Sequence, residues 1–169
     1  MKIAVAGDHA GYEYKDRIAT DLRAKGHEVH DFGTNGPKPV DYPDYGYVVS
    51  EAVASGAFDR GILVCGSSLG IGIAANKVEG IRCASVFEPY MTELSRRHND
   101  ANLLALSERL TGWEMIERLV EIFLETPFDG GRHAERVAKL DYTPRLRAKA
   151  LADLERGRVE GAETPLALL

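Results

Sequence analysis

Gly61-Ile62-Leu63-Val64-Cys65-Gly66-Ser67-Ser68-Leu69-Gly70-Ile71-Gly72, continued by Ile73-Ala74-Ala75-Asn76-Lys77, decides the fold. It opens as a short apolar run with β-branched residues and no polar alternation, the pattern of a strand buried on both faces. The run ends on a cysteine. Three glycines follow within seven residues, interleaved with two serines, and small side chains at helical spacing come next. The order is therefore strand, tight glycine loop, helix N-terminus. Such a loop aims backbone N–H groups and the positive helix end at one spot, where an anion or a developing oxyanion is stabilised. Cys65 stands at the mouth of that spot.

The flanking sequence repeats the strand–helix alternation. Upstream, residues 3–6 form a short apolar strand, and Gly7-Asp8-His9-Ala10-Gly11 leads into a helix over about 12–25 that Gly26 stops. Residues 28–32 read as a second strand with weak alternation, suited to a sheet edge. Residues 33–44 carry three prolines and two glycines and form a loop, long enough to suggest a functional role. A helix follows over about 44–55.

Downstream, residues 82–86 read as the fourth strand. Glu88-Pro89-Tyr90 starts a helix to about Arg97, with proline at an allowed early position. His98-Asn99-Asp100 is the turn after it, and residues 102–106 form the fifth strand. Residues 113–125 make a strongly amphipathic helix, with Trp113, Ile116, Val120 and Phe123 in line. A basic helix over 132–140 and a charged helix from Pro144 to about Arg156 complete the pattern. The expected organisation is a single domain over 1–142 and a helical C-terminal extension over 143–169. That extension, with Leu146, Ala150, Leu151 and Leu154 on one side, is expected to pack on a partner subunit.

Five strands alternating with helices predict an α/β fold, a doubly wound parallel sheet with right-handed crossovers. In the order 2-1-3-4-5 its switch point lies between strands 1 and 3, the usual place for a ligand crevice. The residues just beyond those two strand ends are Asp8-His9 and Cys65-Gly66-Ser67.

Composition narrows the function. With 169 residues, 44% hydrophobic and 28% charged, the chain can build one packed core. A net charge of −5 argues against general nucleic-acid binding. No apolar run approaches a membrane span, and the first residues lack a signal-peptide pattern, so the expected location is cytoplasmic. The two cysteines, Cys65 and Cys83, then read as reduced thiols.

Each candidate residue has a plain structural reading beside a functional one. Cys65 can be a small core residue, but at a strand end facing N–H dipoles its thiolate can be stabilised. Cys83 has no such loop and belongs to the core. Asp8-His9 can be a helix cap and a surface histidine, or a carboxylate and imidazole that hold a hydroxyl and an anion. His98 can be a cation at a helix C-terminus, or a general acid/base that titrates near neutrality. Arg132 and Arg136 share a helix face after Gly130-Gly131; they make a solvated basic face or a phosphate clamp. Arg109 stands just past strand 5. The glycine loop lacks the lysine of a nucleotide-binding P-loop and sits away from strand 1, where a dinucleotide fingerprint begins. No residue set has zinc spacing, and no metal or other cofactor is required.

Taken together, Gly7-Asp8-His9-Ala10-Gly11, Asp41-Tyr42-Pro43, Cys65 through Gly70 with Ala74-Ala75-Asn76-Lys77, Glu88-Pro89-Tyr90, His98 through Asn102 and Gly130-Gly131-Arg132-His133 resemble the type B ribose-5-phosphate isomerases. Their superfamily includes the galactose-6-phosphate isomerase subunits. The resemblance spans about residues 1–140. It implies a metal-independent aldose–ketose phosphate isomerase, acting as a homodimer or dimer of dimers whose subunits share active sites. It further implies Cys65 as the base and His98 as the proton donor that opens the sugar ring. The family subgroup with a glutamate base would carry it at Ile71, so this chain falls with the cysteine type. Asp8, His9, Gly66, Ser67, Ser68, Leu69, Gly70 and Asn99 match ligand-binding positions, and Arg109, Arg132 and Arg136 match arginines near the substrate phosphate. The implied reaction is ribose 5-phosphate to ribulose 5-phosphate. Alternatives are another aldose phosphate (tetrose 4-phosphate, allose 6-phosphate or galactose 6-phosphate) or a sugar-phosphate-binding module without turnover.

Overall fold

A computed structural model describes residues 1–140. Its strands are β1 (Lys2–Gly7), β2 (Glu28–Asp31), β3 (Arg60–Cys65), β4 (Cys83–Ser85) and β5 (Leu103–Ser107). Its helices are α1 (Tyr12–Ala24), α2 (Tyr42–Ala54), α3 (Leu69–Ala75), α4 (Pro89–Arg97), α5 (Trp113–Glu125) and α6 (Arg132–Leu140). All strand pairs are parallel. None of these helices is long and apolar enough to cross a membrane. The expected extension over 143–169 lies outside the described residues.

Alternation along each strand divides the core in two. Ile3, Val5, Ile62, Val64, Leu104 and Leu106 face one way, against Ile18 and Leu22 of α1 and Ile116, Leu119 and Phe123 of α5. Ala4, Ala6, Leu63, Cys65, Leu103 and Ala105 face the other way, against Val49 and Val53 of α2 and Ile71 and Ala75 of α3. Both faces of β3 are therefore covered, as its unbroken apolar run requires.

The strand order is β2-β1-β3-β5-β4, which corrects the expected 2-1-3-4-5. The reason is burial. β5 is five residues long and wholly buried, so it takes the inner place beside β3. β4 has only three residues, all partly exposed, and suits an edge. β2 holds the opposite edge, as its weak alternation suggested. The crevice between β1 and β3 is unaffected. The chain leaves β1 toward α1 on one face and leaves β3 toward α3 on the other, so their loops part at the C-terminal edge of the sheet.

Element ends differ slightly from expectation. α2 begins at Tyr42 rather than 44, because Pro43 fits the first turn of a helix. Cys83 is only partly buried and packs against the edge of the core. Burial pushes its thiol up to about 12, so it stays protonated and inert.

Candidate active site

The Gly7–Gly11 turn lies directly on the end of β3. A Cβ at Gly11 would stand 2.4 Å from the carbonyl carbon and oxygen of Val64 and 2.7 Å from the Cys65 nitrogen. Only glycine permits that approach. The Asp8 N–H donates to the Val64 carbonyl at 3.2 Å, and the buried Asp8 carboxylate accepts from the Ala10 N–H at 2.9 Å. His9 is half-buried. Its Nδ1 accepts the Val40 N–H at 3.3 Å, which leaves Nε2 to carry hydrogen.

The loop that supplies Val40 is anchored from below. The fully buried Lys15 donates to Asp31 at 2.6 Å and to Asn35 at 3.2 Å. Asp31 in turn accepts the Gly33 N–H at 2.8 Å, and Gly33 accepts the Gly7 N–H at 2.7 Å.

Cys65 is 4% exposed, and its Sγ accepts the Ser68 N–H at 3.1 Å. Burial pushes this thiol above its ordinary value. The N–H groups of Ser67, Ile71 and Ser68 pull the other way, and the Asp8 charge adds to the rise. The loop thus provides the expected donors, but desolvation outweighs them. Ser68 turns the loop with φ +66°, in the left-handed region that favours glycine, and caps α3. Its hydroxyl is buried and without a hydrogen bond.

Two further elements close on the loop. The Cys65 carbonyl accepts the Glu108 N–H at 3.1 Å, and the Gly66 carbonyl accepts the Ser107 hydroxyl at 2.7 Å and the Arg109 N–H at 3.3 Å. The Arg109 side chain lies 3.3 Å from where a Gly66 Cβ would be. On the other side, the Tyr42 ring lies 2.7 Å from where a Gly70 Cβ would be. Sequence reasoning quoted Tyr42 in a motif but did not place it in the site. The available signal was an aromatic residue closing a loop rich in proline and glycine. The Leu69 side chain points outward and is exposed. Asp8, His9, Cys65, Gly66, Ser67, Ser68, Leu69, Gly70 and Arg109 therefore form one group at the C-terminal edge of the sheet.

His98, Asn99, Arg132 and Arg136 form a second group elsewhere. α4 runs back along the parallel sheet from the C-terminal end of β4, so His98 at its C-terminus reaches the opposite edge. There Asn102 donates to the Arg82 carbonyl at 3.1 Å before β5 begins. Cys65 pairs with Ser107 at the far end of β5. The length of β5, at about 3.3 Å per residue, thus separates the two groups.

The second group is built around α6. Arg97 Nε holds both Asp129 oxygens at 3.1 and 3.2 Å, and the Asp129 N–H donates to the Arg97 carbonyl at 3.0 Å. The His98 and His133 rings stack at 4.2 Å between centroids and 5° between planes. Arg132 and Arg136 are exposed on the same helix, and Asn99 is exposed beside His98. Burial lowers the proton affinity of His133, and the charges of His98, Arg132 and Arg136 lower it further. His98, Asp129 and His133 offer ligand atoms within 4.8 Å of one another. However, Arg97 occupies the carboxylate, and parallel stacked rings do not aim their lone pairs at a common point.

Comparison with known proteins supplies the family. The family model for Ribose/Galactose Isomerase matches residues 3–140. The structure of Clostridium thermocellum ribose-5-phosphate isomerase B superposes with a TM-score of 0.84 at 51% identity, covering 89% of this chain and 99% of that one. Ribose-5-phosphate isomerase B of Escherichia coli (strain K12) is 46% identical over 136 residues, 80% of this chain and 91% of that protein. The D-erythrulose-4-phosphate isomerase of Pectobacterium atrosepticum is 36% identical over 144 residues, 84% of this chain and 94% of its own length. With the family model spanning nearly all of the described residues, the chain belongs to the ribose/galactose isomerase family.

Proposed function

We propose that this isomerase interconverts ribose 5-phosphate and ribulose 5-phosphate without a metal ion, by ring opening and then proton transfer through an enediolate. The observation that carries the reading is Cys65 Sγ beneath the N–H groups of a glycine loop, in the crevice beside Asp8 and His9. A base and a set of oxyanion donors at one point are what the chemistry needs.

The steps follow from the residues. His98 gives a proton to the ring oxygen as the C1–O bond breaks and the anomeric hydroxyl loses its proton to form the carbonyl. Cys65, as thiolate, takes the C2 proton. The negative oxygen that develops is held by the N–H groups of residues 66–70. The proton of the C2 hydroxyl passes to the C1 oxygen, Cys65 returns its proton to C1, and the carbonyl forms at C2. Asp8 and Asn99 hold sugar hydroxyls. His9, Arg109, Arg132 and Arg136 hold the phosphate, so that binding energy far from the reacting carbons orients them.

His98, Asn99, Arg132 and Arg136 stand at the opposite sheet edge from Cys65. We therefore assign each complete site to two chains of a homodimer, or of a dimer of dimers. A cytoplasmic setting suits a base that must stay reduced.

The test is a panel of aldose phosphates of four, five and six carbons, assayed for ketose formation with EDTA present. Ribose 5-phosphate is expected to give the highest kcat/KM, and Cys65→Ala to abolish turnover while phosphate binding persists. Full activity in Cys65→Ala would remove the proposed base. A higher kcat/KM on the tetrose would move the substrate toward that of the erythrulose 4-phosphate relative.

A further inference from the structure

We infer that His133 is a positioning residue for the ring-opening acid: its imidazole, stacked on His98, fixes the plane from which His98 delivers a proton to the sugar-ring oxygen. The inference rests on His98 having that role.

His98 lies at the C-terminus of α4, half-buried, where a helix end by itself leaves a side chain free to rotate. Among the described residues no hydrogen bond reaches its ring nitrogens. What fixes the ring is the face of His133, 4.2 Å away and only 5° from parallel. His133 is itself held firmly. It is 9% exposed, on the inner side of α6, and the start of α6 is tied to the end of α4 through Arg97 and Asp129. The stack therefore joins the two elements that carry the acid and the phosphate arginines.

The surroundings of the stack also set the charge of the supporting ring. Arg132, Arg136 and His98 bear on His133 with positive charge and Asp129 with negative charge. Burial and the three positive groups prevail and keep His133 neutral. The supporting ring thus presents a neutral face to His98 and does not compete with it for the proton. In the step itself that proton moves to the ring oxygen, the C1–O bond breaks, and the anomeric hydroxyl gives its own proton to water as C1=O forms.

Two assays separate this role from general damage. Turnover of ribose 5-phosphate requires ring opening. Exchange of the C1 hydrogen of ribulose 5-phosphate with deuterium from solvent, followed by NMR, does not. The hydroxyl that would close a furanose in that ketose carries the phosphate, so the ketose is already open. His133→Ala is expected to lower ribose 5-phosphate turnover about tenfold more than it lowers exchange, a fraction of what a general acid supplies. His133→Phe, which keeps a flat ring and cannot titrate, is expected to restore most of that loss with the same pH profile as the unsubstituted enzyme. Equal losses in both assays, or a phenylalanine variant as poor as the alanine one, would overturn the inference. Should the alanine variant not fold, His133→Gln carries the same comparison. The base is tested separately: exchange that survives in Cys65→Ala would remove Cys65 from the mechanism and leave the His133 ratio interpretable.

Discussion

A thiol that takes a proton from carbon must spend part of its time as thiolate, and Cys65 sits where burial opposes this. The three N–H donors above it offset only part of the cost. Because the thiol is raised, its basic form grows with pH across the whole neutral range. Between pH 7 and 9, where the substrate phosphate is already a dianion, the rate of C1-hydrogen exchange in ribulose 5-phosphate, which needs the base and not the ring-opening acid, is expected to climb about tenfold per unit, as for a base working below its pKa. A flat profile over that range would show that the thiol is not raised in the working enzyme. Ser68 presents a second local conflict. It holds a left-handed backbone and a buried hydroxyl without a partner. Ser68→Gly relieves about 1–2 kcal/mol of backbone strain and the cost of the orphan hydroxyl, against about 1 kcal/mol of extra chain entropy in the unfolded state. The variant is expected to gain about 1 kcal/mol in urea unfolding, a rise of a few degrees in Tm. The Ser-Ser pair in the loop was plain in the sequence. That its second member would take φ +66° was not, because glycine is the residue that usually signals such a turn.

The strand–loop–helix unit around Cys65 was legible because it combines two local signals, an apolar run and a cluster of glycines. The same reasoning failed on β4 and β5. Both are short apolar runs, and what orders them is which one can be wholly buried beside β3. That is a property of the packed sheet and not of either segment. Tyr42 escaped notice for a related reason, since its contact with Gly70 joins α2 to the glycine loop across the crevice. The glycines of this unit separate into two kinds. At Gly11 a methyl group would meet the Val64–Cys65 peptide itself, which cannot move without displacing β3. Gly11→Ala is expected to cost about 3 kcal/mol and to abolish activity, because the Asp8-His9 turn is forced off the strand end. At Gly70 the obstacle is the half-exposed Tyr42 ring, which can swing aside. Gly70→Ala is expected to leave urea unfolding within about 0.5 kcal/mol while KM rises, since only the cover of the loop is disturbed. A large stability loss at Gly70, or none at Gly11, would reverse the assignment.

At the scale of the molecule, the parallel sheet places Cys65 and His98 at opposite edges of one chain, and the proposed shared site rests on that separation. A helix after a parallel strand must return to the other edge, so α4 carries His98 away from the strand ends that hold Asp8 and Cys65. This was implicit in the strand–helix alternation, although the family resemblance was what drew attention to a shared site. The flank along the edge strand β4 is suited to meeting a second copy. Leu69 and Ile73 are 55% and 62% exposed four residues apart on α3, and Phe87, Tyr90 and Met91 are exposed at the turn into α4. The shared-site reading makes a quantitative prediction. Cys65→Ala and His98→Ala are each expected to be inactive on ribose 5-phosphate as homodimers. When the two variants are co-expressed in equal amounts and associate at random, half of the dimers pair one variant with the other. In such a two-fold dimer one site draws its cysteine from the His98→Ala chain and its histidine from the Cys65→Ala chain, and is intact; the other lacks both. About a quarter of the unsubstituted activity is then expected. Activity that stays at the level of the separate homodimers would mean that each chain completes its own site.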